Sequence, residues 1–579
     1  MADEPLDSAQ LLKNYFEAGQ DLIREFARGG GAGALPGKKP DPSAGFQNSA
    51  TDFMAGAQRF AEMQHGYLEQ GASHWAGLFG LAPKPEKSAK APDRRFAGEA
   101  WQNVPGFDAL KQTYLAYADF LTSSVDSAPV GDNAKAQMRF AIGQYVDALS
   151  PTNFFATNPE ALQLAQETGG KSLIDGMGLF MQDLAKGRIS MSDDSAFEVG
   201  RDVATTEGAV VFENDLIQLI QYAPRAEQVY ERPLVVIPPC INKFYILDLQ
   251  PDNSFVRHAL DQGHTVFLVS WRNITPEFGH FTWDDYLELG VIKAIDVALS
   301  ISGADRVNAL GFCVGGTLLA CALAVLAAKG EQKAASLTLL TTMLDFFDGG
   351  EIGQLVSEAG ITAREATIGS GGVMPGKELG FVFSSLRAND LIWQYVVNSY
   401  LKGKAPPAFD MLFWNADGAN LAGPMFCWYL RNTYLENNLK LPGKTKQCGV
   451  PVDLGRINMP TYLYASREDH IVPWGTAYAA QDLLKGELTF VLGASGHIAG
   501  VINPAKKNKR NYWTGGTLTN DPDQWLASAQ SVPGSWWPNW SAWLARHGGA
   551  MLPAQTALGN AQYRMIEPAP GRYVTAKAQ

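Results

Sequence analysis

The pentapeptide Gly311-Phe312-Cys313-Val314-Gly315 limits what this chain can fold into more than any other stretch. A short apolar run, Arg306-Val-Asn-Ala-Leu-Gly, leads into it. Roughly fifteen small and aliphatic residues ending near Lys329 follow, suited to a buried helix. Strand, sharp turn and helix is the setting in which Gly-x-nucleophile-x-Gly forms a nucleophile elbow, the glycines leaving room where strand and helix cross. Here the nucleophile position holds cysteine, where serine is usual. With 58 Gly and 5 Cys in 579 residues, about 0.05 such pentapeptides are expected by chance. The competing reading is a buried structural cysteine in a tight turn.

A chain of 579 residues exceeds one compact core, so two or more domains are expected. No uninterrupted run of eighteen apolar residues occurs, and the helix after Cys313 is too short to span a bilayer. The N-terminus, Met1-Ala-Asp-Glu-Pro-Leu-Asp, lacks the basic-then-apolar order of a signal peptide. Five scattered cysteines form no metal-ligand spacing and favour a reducing cytosol. The net charge of −12 argues against general nucleic-acid binding. An anionic substrate would need a local cluster of Lys and Arg.

Residues 1–195 read as an all-α N-terminal domain. Leu11, Leu12, Tyr15, Phe16, Leu22, Ile23 and Phe26 fall at helical spacing, and a Gly- and Pro-rich linker follows to about residue 45. Such a tethered apolar face either docks on its own domain or adsorbs to an apolar surface or a partner. A second helical stretch lies near 50–81, and helical patterning resumes from Asp93 to about Asp183, punctuated by Pro151, Asn153, Asn158 and Pro159. His65 and His74 stand alone and read as surface or packing residues.

Residues 196–579 change to strands alternating with helices. Apolar runs begin at Pro233, Thr265, Arg306, Ser336, Pro460 and Glu487; runs apolar on both faces suit a parallel sheet covered on each side. More than a hundred residues separate the runs at Ser336 and Pro460, which implies an inserted cap over about 346–455. Its aromatics, among them Phe381, Trp393, Tyr400, Trp414 and Trp428, read mainly as cap core, with a minority available to line an apolar substrate path.

Asp469 follows one strand and His497 lies in the loop after the next. Nucleophile, acid, histidine is the chain order of the α/β-hydrolase triad. Individually an Asp at a strand end can be a cap and a lone His structural; the three together at three strand ends point to Cys313, Asp469 and His497 as catalytic. Glu468 and His470 are neighbouring decoys, expected to face away from Asp469 along a strand. Oxyanion donors are expected from the backbone of Val314 and of Ile241, in the loop Pro238-Pro-Cys-Ile-Asn-Lys. Cys240 and Cys321 read as packing residues. The expected fold class is an α/β-hydrolase fold with an inserted cap subdomain, preceded by the α-helical domain.

The chain resembles the class I polyhydroxyalkanoate synthases. The matching stretches are Asp93-Arg-Arg-Phe, Ser150-Pro-Thr-Asn-Phe-Phe-Ala-Thr-Asn-Pro-Glu, Phe197-Glu-Val-Gly-Arg-Asp, Pro238-Pro-Cys-Ile-Asn-Lys-Phe-Tyr-Ile-Leu-Asp-Leu, Val269-Ser-Trp-Arg-Asn and Gly311-Phe-Cys-Val-Gly-Gly-Thr, with Leu386-Arg-Ala-Asn-Asp, Asp469-His-Ile-Val-Pro, Ser495-Gly-His-Ile-Ala-Gly and Gly534-Ser-Trp-Trp-Pro after them. The match spans nearly everything after Asp93 and fades beyond about His547. Cys240 stands where relatives often carry another residue. The resemblance implies Cys313 as acyl-accepting nucleophile, His497 as base and Asp469 as third member. It implies short-chain (R)-3-hydroxyacyl-CoA substrates, polymerised into polyhydroxyalkanoate with release of CoA and no other cofactor. It further implies a homodimer, cytoplasmic and associated with the surface of its polyester granule and with granule-coating proteins. Arg387 and Lys243 are candidates for CoA phosphates, or equally ordinary surface or ion-pair residues. The alternatives are a thioesterase or other cysteine-triad hydrolase on the same fold, and a non-catalytic granule-coating protein.

Overall fold

The computed structural model describes residues 93–578. The amphipathic segment expected over Leu11–Phe26, its linker and the stretch near 50–81 lie outside the described residues. The chain divides into two compact units, one of residues up to Ile189 with Arg387–Pro406, the other of Ser190–Leu386 and Pro407–Gln579.

The first unit is helical: α1 Phe107–Asp126, α2 Asp132–Ala148, α3 Pro159–Glu167 and α4 Lys171–Lys186. Asn158 and Pro159 start α3 as their chemistry dictates. The Asn158 side chain accepts from the Ala161 amide at 3.0 Å, and proline takes the first position, where no amide hydrogen is needed. Phe96, Trp101 and Tyr114 form a small core, and Arg95 ties Asp93 to Asp147 beside it. The helical unit closes at Ile189 and takes in Arg387–Pro406, a segment from within the expected cap, where Tyr400 donates to Asp183 at 2.8 Å. Gly176 of α4 permits that approach, since a Cβ there would lie 2.1 Å from the Tyr400 carbonyl oxygen.

The second unit is built on an eleven-stranded sheet. Its strands are β1 Gly208–Glu213, β2 Ile217–Tyr222, β3 Leu234–Ile237, β4 Val266–Trp271, β5 Val307–Phe312, β6 Ala334–Leu340, β7 Thr461–Ser466, β8 Leu488–Gly493, β9 Asn511–Thr514, β10 Gln530–Pro533 and β11 Glu567–Pro568. The spatial order is β10-β9-β8-β7-β6-β5-β3-β4-β2-β1-β11. The six strands expected from the apolar runs, β3 to β8, are the parallel ones. Antiparallel strands flank them on both sides.

The pleat sends alternate side chains to opposite faces. Val235, Ile237, Phe267 and Val269 join one core with the helices α5 Lys293–Ser302 and α6 Val314–Ala328. Leu234, Val236, Val266 and Leu268 join the other, with Trp536 and the helix α7 Trp537–Ala545. Residues Val314 to Leu326 of α6 are all buried, as a helix apolar around its whole circumference must be. Among the described residues no helix is long and apolar enough to cross a membrane.

Between β5 and β3 the chain order reverses: β3 is followed by β4 on one side, and β5 is laid down on the other. Crevices at the carboxyl ends of strands flanking such a switch point are where open α/β sheets bind ligands. The elbow follows β5 and the loop Pro238–Lys243 follows β3, so both border that crevice.

Candidate active site

Cys313 has φ 54° and ψ −129°, a left-handed conformation rare for a residue with a Cβ. Its amide donates to the Leu340 carbonyl at 2.9 Å, and its carbonyl accepts from the Gly316 amide at 2.9 Å, so the turn is bonded on both sides. A Cβ on Gly311 would lie 2.4 Å from the Gly316 Cα; one on Gly315 would lie 2.3 Å from the Ile237 carbonyl oxygen. The glycines therefore close the elbow and let α6 start directly against the end of β3. Val314, 2% exposed, is the first residue of α6, with its amide among those that the helix itself leaves unused.

His497 is the first residue of the short helical turn His497–Val501, directly after Gly496. Its Nδ1 donates to Asp469 Oδ2 at 2.6 Å, and its ring stacks on Phe312 with centroids 5.7 Å apart. Asp469 lies in the turn after β7 rather than on the strand, so strand alternation does not decide where Glu468 and His470 point. Its second oxygen, Oδ1, accepts from the amides of Ile471 and Val472, each at 2.9 Å. With its side chain fully buried, the carboxylate is oriented by three donors.

With Nδ1 engaged, the remaining ring nitrogen, Nε2, is left for Cys313, which acts electrostatically on the histidine. Burial by itself would lower the pKa of His497. The charges of Asp469 and Cys313, with the Asp469 hydrogen bond, outweigh it and raise the value to about 10. The three predicted residues thus come together, and the arrangement favours an imidazolium beside the sulfur.

Ile241 lies in the loop after β3, half-buried against the core. Cys240 beside it is 2% exposed, and burial, with the charge of Cys313 nearby, pushes its thiol up to about 12. Arg387 lies in the helical unit, where its guanidinium pairs with Asp390 at 2.6 Å. Lys243 is 3% exposed and donates to the Ala576 carbonyl at 2.6 Å, so it is not presented to solvent for a phosphate. Cys321 is fully buried in α6, as expected of a packing residue.

Two residues near the thiol were not foreseen. Tyr429 and Tyr434, with ring centroids 5.7 Å apart and edge to face, both pack on Phe346. Burial raises the pKa of both hydroxyls, and the charge of Cys313 raises each further. They bring neutral, weakly polar surface to the nucleophile from the segment between β6 and β7.

Sheet order, elbow and histidine–aspartate pair define an enzyme of the α/β-hydrolase fold, and the model of that fold matches residues 233–504. The model described as the N-terminus of poly-beta-hydroxybutyrate polymerase (PhaC) matches residues 92–259. The poly(3-hydroxyalkanoate) polymerase subunit PhaC of Cupriavidus necator is 55% identical over 91% of this chain and 91% of its own. That of Rhizobium meliloti is 40% identical over 86% of this chain and 82% of its own. Among solved structures, a hydrolase from Pseudomonas aeruginosa PA01 is 16% identical and covers 51% of this chain and 92% of its own, with a TM-score of 0.29. The chain belongs to the poly(3-hydroxyalkanoate) polymerase family, acyltransferase-type enzymes on the α/β-hydrolase fold.

Proposed function

We propose that the enzyme polymerises short-chain (R)-3-hydroxyacyl-CoA thioesters through a covalent acyl-enzyme on Cys313, with CoA as leaving group and no further cofactor. The observation that carries this reading is a cysteine on a strained elbow, beside a histidine whose other nitrogen is bonded to a buried aspartate at 2.6 Å.

The proton of the Cys313 thiol passes to His497, and the thiolate attacks the acyl carbonyl. The amides of Val314 and Ile241 receive the developing oxyanion. As the C–S bond to CoA breaks, His497 returns the proton to the leaving thiolate. Thioester exchange is nearly isoenergetic, so the acyl group remains activated; a serine would form an oxyester and lose that driving force. Acylation also removes the thiolate charge that helps raise His497, which brings the imidazole closer to the neutral form needed to deprotonate an attacking 3-hydroxyl. Asp469 orients that imidazole or assists the second deprotonation. Phe346, Tyr429 and Tyr434 support exclusion of water, which would otherwise divert the thioester to hydrolysis.

The family reading extends to a cytoplasmic homodimer that associates with its polyester granule and with granule-coating proteins. Incubation with 3-hydroxybutyryl-CoA tests the reaction: free thiol with rising turbidity is expected. Free thiol with free hydroxy acid and no polymer would make the enzyme a thioesterase. No thiol release would leave a non-catalytic coat protein.

A further inference from the structure

We infer that Lys577 and Asp417 form a clasp that positions the loop after β3, which makes both of them positioning residues for acyl transfer. The inference rests on the proposed role of Ile241 as an oxyanion donor.

The loop Pro238–Lys243 is bonded along one side to residues 414–419. The Ile241 carbonyl accepts from the Ala419 amide at 2.9 Å, Asn242 and Gly418 form an antiparallel bridge, and the Lys243 carbonyl accepts from the Trp414 indole at 2.6 Å. Asp417 sits in the middle of that strip with its side chain 5% exposed. Its Oδ2 accepts from the Tyr245 hydroxyl at 2.9 Å, and its Oδ1 pairs with Lys577 Nζ at 3.0 Å.

The segment that carries Lys577 returns to the same loop. Ala576 accepts from Lys243 Nζ at 2.6 Å, and the Lys577 carbonyl accepts from Asn273, just after β4, at 3.0 Å. Tyr573 and Val574, both buried, anchor the segment. A closed circuit results: Ile241 to Ala419, Asp417 to Lys577, Ala576 to Lys243. Burial lowers the Lys243 ammonium to about 8, Asp417 acting against the shift and Lys577 with it, so the charges of the circuit act on one another.

Fixing the Ile241 carbonyl on Ala419 limits the swing of the neighbouring Cys240–Ile241 peptide, whose N–H would face the oxyanion. A donor displaced by a fraction of its hydrogen-bond length loses transition-state stabilisation while ground-state binding is unchanged. Lys577 acts here by charge rather than packing. Its side chain is 65% exposed, so removing the ammonium opens no cavity; it leaves the buried Asp417 carboxylate without its ion-pair partner.

The test compares Lys577→Met and Lys577→Arg in the full chain, with 3-hydroxybutyryl-CoA turnover, thermal melting and alkylation of Cys313 by iodoacetamide as readouts. Alkylation develops no oxyanion on a carbonyl and does not use the loop. Lys577→Met is expected to lower kcat about tenfold with KM and alkylation rate unchanged, and Lys577→Arg to restore kcat. Unchanged kcat in Lys577→Met would overturn the inference. So would turnover, alkylation and melting temperature falling in step, the mark of a general structural role. Cys313→Ala measured alongside separates the two levels: CoA release retained there would sink the reading of the site itself, whereas its loss beside an active Lys577→Met sinks the clasp alone.

Discussion

His497 donates from Nδ1 to Asp469 Oδ2 at 2.6 Å, while Oδ1 of the same carboxylate is held by the amides of Ile471 and Val472. The histidine is therefore fixed in one tautomer, with Nε2 directed to the thiol, and its orientation depends on a carboxylate that cannot rotate without losing two amide bonds. That geometry makes the roles of acid and histidine separable.

In Asp469→Asn, one amide oxygen can keep the Ile471 and Val472 bonds, but the NH2 group then faces His497 and favours the wrong tautomer. Acylation of Cys313 is expected to survive in part while elongation fails. A rapid-quench measurement of CoA release against polymer formed checks this. Equal loss of both steps would mean that Asp469 only orients the histidine.

The raised pKa of His497 carries a stability signature. Its folded value, about 10, exceeds the ordinary 6.5, so the folded state binds the proton more tightly than the unfolded chain. The stabilisation is fully present below about 6.5 and is lost as pH rises through about 10. The melting-temperature advantage of the parent over His497→Gln should shrink across that window, and a pH-independent difference would contradict the ion pair. His497→Gln should also lose acylation and elongation severely.

Gly315→Ala places a methyl 2.3 Å from the Ile237 carbonyl oxygen and 2.5 Å from that of Pro238. Both neighbours are backbone at the base of the oxyanion loop, so the strand end or the helix must shift. We expect a loss of about 3 kcal/mol or more with abolished turnover, read by denaturant unfolding. Gly178→Ala, in α4, meets nothing within 4 Å and should be neutral or stabilising by up to about 1 kcal/mol.

The six parallel strands were legible because they are buried on both faces and so read as unbroken apolar runs. The elbow was legible because its glycines are required sterically, by neighbours at 2.4 Å and less. The antiparallel flanks were not. In β2 the apolar run is broken by Gln218 and Gln221, both buried. Gln218 is satisfied by Glu213 and Glu567, the latter some 349 residues away, a partnership that no local pattern reveals. β11 is two residues long and carries no periodicity. Tyr429 and Tyr434 sit among other aromatics, where spacing cannot separate a residue beside the thiol from cap core. The circuit through Lys577 joins residues more than three hundred apart, and only the folded chain brings them together.

The most direct test of the central claim is a mass measurement on the protein quenched in acid after brief mixing with 3-hydroxybutyryl-CoA, followed by peptide mapping. A thioester-linked 3-hydroxybutyryl or oligomeric adduct is expected on the peptide that contains Cys313, released by hydroxylamine and absent in Cys313→Ala. Polymer formed with no adduct on Cys313, or with the adduct on another residue, would contradict it.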